Sequence, residues 1–280
     1  MTMIESSREN VKTFEQEIEQ GARFEFGKNW RNFLSSLNDE RIAEAEKSLR
    51  KMLDVSDLSG KRFVDVGSGS GLFSLAARRL GATVYSFDYD PQSVACTQEL
   101  KSRYFFDDDR WHIERGSALD SDYLNALGKF DIVYSWGVLH HTGDMWRALE
   151  KVTPLVGPKG TLFIGIYNNQ GKRSLRWQKV KRFYCSGSLG KSLVIGIFIP
   201  YFFLRTVRNM ILSRKNIIAN YKKKRGMSIY YDWIDWLGGY PFEVASVEEI
   251  FRFYRKKGFN LANLKVTCGW GINEFVFTKE

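Results

Sequence analysis

Apolar residues in the first sixty positions recur at helical spacing, as Ile42, Ala45, Leu49 and Leu53 do, inside otherwise charged sequence. From Lys61 the pattern changes to short β-rich runs: RFVDVG (62–67), TVYSFD (83–88), WHIERG (111–116), FDIVYSW (130–136) and GTLFIGIY (160–167). Helical stretches at 71–80, 91–104, 120–127 and 144–155 separate them. Strand and helix in alternation predict an α/β fold with a doubly wound parallel sheet. Near the end, Ser246 with Glu249 three residues on forms a capping box that opens a helix over 246–257. Two more apolar runs, 261–267 and 272–279, flank Cys-Gly-Trp-Gly and predict a closing antiparallel hairpin.

Between the fifth run and that capped helix lie residues 168–245, far longer than an ordinary connection. The chain therefore divides into an N-terminal helical lid (1–60), an α/β core (61–167), a helical insertion (168–245) and a final helix and hairpin (246–280) that complete the core.

At 280 residues, 44% hydrophobic and 26% charged, the chain can bury a sizeable core and is not disordered. Three widely spaced cysteines, Cys96, Cys185 and Cys268, form neither a disulfide framework nor a CxxC pair, which fits a reducing cytoplasm. The polar N-terminus carries no secretory signal, and no apolar run reaches the ~18 residues of a membrane span, so a soluble or surface-bound protein is expected.

The net charge of +10 is concentrated in one place. From Thr161 to Tyr231 there is no Asp or Glu but there are 15 Lys and Arg, and the remaining 27 basic and 32 acidic residues make everything else mildly acidic.

The sharpest chemical signal is Val64-Asp65-Val66-Gly67-Ser68-Gly69-Ser70-Gly71, where the first strand turns into a helix. Glycines there allow a tight turn and close approach of backbone to a ligand. Asp88, 21 residues after Gly67, ends the second strand, where an acid can bind a ribose hydroxyl pair. A dinucleotide fingerprint would need glycine at 72, but Leu72 stands there, and an acid two residues before the first glycine suits a ligand with a positive end better than a pyrophosphate.

In these motifs the sequence resembles the class I S-adenosylmethionine-dependent methyltransferases, over about residues 61–167 and the terminal helix and hairpin. The resemblance implies a mostly parallel seven-stranded sheet whose last strand is antiparallel, and S-adenosylmethionine as cofactor. It places Asp65, Gly67, Ser68, Gly69 and Gly71 around the methionine and ribose end, and Asp88 on the ribose with Tyr89 beside the adenine. Ser117, Ala118 and Leu119 fall at the adenine edge, while Ser135 and Trp136 face the methionine moiety. Asp120 lies slightly late for the acid that the family often places against the adenine amine. The stretch Phe24–Trp30, with Gly27, Asn29 and Trp30, looks like the cofactor-covering lid of small-molecule O-methyltransferases of the ubiquinone-biosynthesis type. Phe26 and Trp30 equally suit core anchors of a helix.

An oxygen acceptor needs a base near neutral pKa, and His140 and His141 follow the fourth strand at the sheet's ligand-binding edge. The (D/N/S)-P-P-(Y/F) tetrad of amino-methylating nucleic-acid enzymes is absent, as is a Pro-Cys nucleophile, and no His and carboxylate spacing fits a metal. A small, sugar or lipid-linked hydroxyl acceptor is the expectation. Tyr230, Tyr231, Asp232, Asp235, Trp236 and Tyr240 are candidate acceptor contacts, since aromatic faces beside carboxylates suit a ring or sugar.

Leu193–Leu204 is apolar but is expected to break at Pro200. With the cations around it, residues 187–225 form a basic amphipathic element that can lie on a membrane, which would put a cytoplasmic protein at a membrane's inner face. A plain lid or a dimerisation surface is the simpler alternative. An RNA methyltransferase using the basic segment, and a cofactor-binding module without catalysis, are the other readings kept open.

Overall fold

The computed structural model describes residues 13–213 and 229–279. The N-terminal part forms α1 (Phe14–Glu19), α2 (Gly27–Leu34) and α3 (Asp39–Leu53). The core follows as β1 (Arg62–Val66), α4 (Leu72–Arg79), β2 (Thr83–Asp88), α5 (Pro91–Tyr104), β3 (Trp111–Arg115), α6 (Ser121–Leu127), β4 (Phe130–Trp136), α7 (Met145–Val152) and β5 (Val156–Tyr167). The insertion contains α8 (Lys172–Cys185), α9 (Ser188–Ser213) and α10 (Ile229–Gly238). The chain closes with α11 (Val247–Arg255), β6 (Phe259–Lys265) and β7 (Ile272–Lys279).

The seven strands run in the order β3-β2-β1-β4-β5-β7-β6. The first five pair in parallel, while β7 slots antiparallel between β5 and β6, so the α/β fold expected from the alternating runs and the closing hairpin is the one observed. Reversal of strand order about β1 and β4 leaves a crevice at their carboxyl ends, the place where ligands bind in open α/β sheets.

Each sheet face is covered by helices whose apolar stripes match the periodicity of the sequence. Ile42, Ala45 and Leu49 of α3 pack with Leu75 and Ala76 of α4 and Leu100 of α5 on one face. Leu149 and Val152 of α7, Leu124 of α6 and Ile250 and Tyr254 of α11 cover the other. Ser246 and Glu249 make the expected reciprocal cap on α11.

Local chemistry trims several boundaries. The fourth helical stretch ends as α7 at Val152 and continues as a 3-10 turn over Thr153–Leu155, because Pro154 has no amide to extend the helix. Strand β5 starts at Val156, since Val156 already pairs with Phe130 and an irregular register absorbs Gly157–Gly160.

Two expectations for the insertion are corrected. Pro200 does not break the chain: α9 runs through it for 26 residues. Packing on both sides of the proline holds the helix, with Val194 before it and Phe202 after it in one cluster with Trp177, Tyr184 and Leu237. The continuous helix is also long and apolar enough to cross a membrane by length and composition, which the short apolar run at 193–204 concealed. Arg214, Lys215 and Lys222–Arg225 of the basic segment lie outside the described residues, as does the side chain of Tyr231.

Candidate functional site

Strand β1 ends in the glycine loop, whose conformation only glycine sustains. Gly67 has φ +81°, and a Cβ there would come 2.3 Å from the Val138 side chain. Gly69 has φ +55° and lies under the Trp30 indole, 3.2 Å from where its Cβ would be. Ser68 hydroxyl meets Thr97 of α5 at 2.9 Å and ties the loop to the helix behind it.

Two carboxylates flank the loop, Asp65 buried and Asp88 half-buried. Asp65, 2% exposed, accepts a 2.5 Å bond from the Ser74 hydroxyl. Burial pushes its carboxyl up to about 7, the Ser74 bond opposing and the Asp88 charge adding. Asp88 accepts the Gly69 amide on Oδ2 and the Asp90 amide on Oδ1, both at 2.9 Å, and burial raises it to about 6 against those two bonds. Such carboxylates are held ready for a partner that brings positive charge or hydroxyl donors.

The N-terminal helices, expected to form a lid, lie against this crevice through contacts that reach far along the chain. The Gly27 amide donates to Asp90 Oδ2 at 2.8 Å. Arg23 donates from Nη1 to the His141 carbonyl at 2.9 Å and from Nη2 to the Thr142 carbonyl at 3.3 Å, and its guanidinium lies 5.1 Å from the centre of the Tyr89 ring. Phe14 meets the same ring edge-on at 5.5 Å. Asn29, buried, donates its amide to the Asp235 carboxylate of the insertion, so lid and insertion touch across the crevice.

The insertion supplies the opposite wall. Trp236 lies 5.5 Å from Trp177 and 5.6 Å from Trp270, and Phe202 lies 5.7 Å from Trp233. Burial raises Asp235 to about 7 and Asp232 to about 6. Behind this wall the Lys181 ammonium is buried, donates to the Trp236 carbonyl and sits 4.3 Å from the Trp236 ring, and burial lowers it to about 7.

One cavity of about 2010 Å³ runs from the glycine loop to this aromatic wall. That is roughly twice the upper end of ordinary small-molecule sites, about 1,000 Å³, and leaves room for two ligands side by side.

Most residues singled out from sequence line it. Asp65, Gly67, Ser68, Gly69, Asp88 and Tyr89 form the floor, with Ser117, Ala118 and Leu119 beyond Tyr89. Trp30, Trp136, His141, Asp232, Asp235 and Trp236 form the walls. Others stand behind the lining. Gly71 packs on Thr97, and Ser135, fully buried, donates to the Val66 carbonyl at 2.9 Å and pins β4 to β1. Gly27 and Asn29 hold other residues in place, while Tyr230 and Tyr240 are not part of the lining.

The two histidines differ. His141 Nδ1 donates to the Pro241 carbonyl at 2.5 Å, which leaves Nε2 as the acceptor, and burial pushes the ring down to about 3. His140, fully buried, accepts the Tyr167 amide on Nδ1 at 3.4 Å and is not among the lining residues; burial holds it well below the usual histidine range. Both are neutral near pH 7. Among the described residues no cluster of His, Cys, Asp and Glu fits a metal ion.

Arg23, Asp90, Val138, Trp177 and Trp270 were not singled out from sequence. Trp270 sat in plain view in the Cys-Gly-Trp-Gly turn, but its role depends on where the hairpin lands.

The loop and its two acids fit S-adenosylmethionine: a Cβ would fill the cradle at Gly67, and Asp65 stands buried without a cation in its hydrogen bonds. Comparison with known proteins agrees. The methyltransferase-domain family matches residues 64–162. A ubiquinone biosynthesis O-methyltransferase of Escherichia coli O139:H28 is 31% identical over 117 residues, which is 41% of this chain and 46% of that protein. The chain thus spans about half the length of the curated relatives it matches. Magnesium protoporphyrin IX methyltransferase from Synechocystis PCC 6803, with bound SAH, superposes with TM-score 0.52 at 14% identity, over 85% of this chain and 83% of the other. A mitomycin 7-O-methyltransferase does so with TM-score 0.52 at 14% identity, over 97% and 62%. At that identity the two structures speak for the fold. Residues 64–162 are a methyltransferase domain, of the class I S-adenosylmethionine-dependent family.

Proposed function

We propose that the chain transfers a methyl group from S-adenosylmethionine to a hydroxyl oxygen of a small acceptor seated between the glycine loop and the aromatic wall. The supporting observation is the cavity that joins a cofactor cradle to a second, aromatic and acidic compartment. When bound, S-adenosylmethionine supplies an electrophilic methyl group on a positive sulfur. Asp65 meets the ammonium end and Asp88 the ribose hydroxyls, while Trp30 and the α1–α2 lid exclude water. Trp177, Trp236 and Trp270 stack against the acceptor and fix its approach.

The acceptor proton needs a base. Asp235, at about 7, is matched to neutral pH, is oriented by Asn29 and lines the cavity. His141 is the second reading: it lines the same cavity with a free Nε2 lone pair, but its low affinity for protons makes it the weaker base. The pH profile separates them. With S-adenosylmethionine saturating, so that ionisation of Asp65 does not enter, a base at about 7 makes kcat/KM for the acceptor climb with pH through 7, whereas His141 gives a flat profile above pH 5.

Contact of residues 187–225 with a membrane, and a cytoplasmic position at its inner face, belong to the same reading; the free thiols of Cys96, Cys185 and Cys268 support the reducing compartment. The test is calorimetry with S-adenosylmethionine, followed by transfer of its labelled methyl group into a cell extract partitioned between water and chloroform. Absence of cofactor binding overturns the proposal. Binding without transfer turns it into the non-catalytic reading.

A further inference from the structure

Helix α9 has two faces with opposite obligations. Its inner face is committed: Val194 is buried, Phe198 lies 5.2 Å from Trp177, and Phe202 packs on Trp233. Phe202, Arg205, Thr206 and Asn209 go further and line the cavity itself. The outer face carries Leu189, Leu193, Ile197, Tyr201, Leu204 and Leu212, spaced by three, four and eight residues and therefore on one side of the helix. Their exposures run from 47% at Leu193 to 73% at Leu189 and Leu212. A contiguous apolar stripe of this length on a water-facing surface marks an interaction site.

Charge identifies the occupant. Lys191, Arg205 and Arg208 are exposed on α9, and Lys172, Arg173, Arg176, Lys179 and Arg182 are exposed on neighbouring α8, with no acid between Thr161 and Tyr231 to offset them. Tyr201, Leu204, Arg205 and Arg208 surround a shallow hollow of about 520 Å³ in which two guanidinium groups stand beside apolar side chains. Apolar stripe, flanking cations and a guanidinium-lined hollow match the acyl boundary and the phosphate layer of a bilayer. Although α9 is long enough to span, its inner face is bound to α8 and α10 and to the cavity, so it lies in the interface plane.

We propose that α9 docks the protein on an anionic lipid bilayer by this outer stripe, and that the acceptor is an amphiphile reaching the cavity past the helix's inner edge at Arg205 and Thr206. The inference rests on the methyl-transfer reading for its substrate and stands apart from it for its surface. An acceptor with its apolar chain in the membrane presents a polar head to Asp232 and Asp235 without leaving the lipid.

The test is flotation of the full chain with vesicles of phosphatidylglycerol and phosphatidylcholine against vesicles of phosphatidylcholine alone. The wild type floats with the anionic vesicles, less so at high salt. The double variant Leu193→Glu/Ile197→Glu loses flotation by on the order of tenfold. Both positions are exposed and outside the cavity lining, and unchanged thermal unfolding and unchanged calorimetric affinity for S-adenosylmethionine certify its fold. Equal flotation of variant and wild type overturns the docking. So does a stable dimer that the variant dissolves, or salt-sensitive RNA binding with no vesicle binding. Labelled methyl recovered only in the aqueous phase overturns the amphiphile while leaving methyl transfer intact, and missing cofactor affinity in both proteins overturns the methyl-transfer reading instead.

Discussion

The two halves of the cavity are built by different means. On the cofactor side a short loop, two carboxylates and the backbone amides of Gly69 and Asp90 do the work, and every one of them lies within 26 residues of the others in sequence. On the acceptor side the wall is assembled from α8, α9, α10 and the final hairpin: tryptophans 177, 236 and 270, far apart in sequence, meet there, and Trp233 packs on Phe202. On the methyl-transfer reading, local geometry serves the ligand shared by many enzymes, and long-range packing serves the acceptor particular to this one.

The largest test of that contrast is Asp88→Ala. If the half-buried Asp88 carboxylate holds the ribose hydroxyls as proposed, its loss lowers cofactor affinity by about a hundredfold in calorimetry, while circular dichroism keeps the sheet. Next comes Asp235→Asn, which leaves cofactor affinity in place and lowers kcat by about a hundredfold in the methyl-transfer assay, with the rise of kcat/KM near pH 7 abolished. Retained kcat together with a flat profile assigns the proton to His141 and redraws the acceptor half.

A smaller effect sharpens the cofactor half. The Asp65 carboxyl sits at about 7 without ligand, and a cationic ligand prefers it ionised. Affinity therefore rises with pH, by on the order of tenfold, as the carboxyl ionises on going from pH 6 to 8, and Asp65→Asn removes that slope. Smallest is a stability effect in the acceptor half. Burial lowers the Lys181 ammonium from 10.5 to about 7, so the fold prefers the neutral amine. Charging it weakens the fold progressively as pH falls below its ordinary value, and the loss is complete below pH 7. Lys181→Met then raises Tm at pH 6 by on the order of a few degrees, and the gain shrinks at pH 10.

The same contrast explains what could be read from the chain in advance. Alternating runs and the Asp65–Gly71 loop are local signals, so the sheet, its closing hairpin and the carboxylates at 65 and 88 were legible from residue order alone. Pro200 was misread because its local effect on a helix is overruled by Trp177, Phe198 and Phe202, which are distant in sequence or buried on one side. Arg23 reaches His141 over 118 positions, and no periodicity announces such a contact. His140 and His141 could be placed at the sheet edge, but burial, which lowers both, is a property of the assembled cluster around Tyr167 and Pro241.

The bond from Asn29 to Asp235 joins the N-terminal helices to the insertion at the wall of the cavity. On the methyl-transfer reading proposed above, admitting or releasing a molecule there parts this bond, which makes traffic at the two compartments sequential. Steady-state kinetics should then follow an ordered course, with the nucleoside donor boarding first and its spent form departing last.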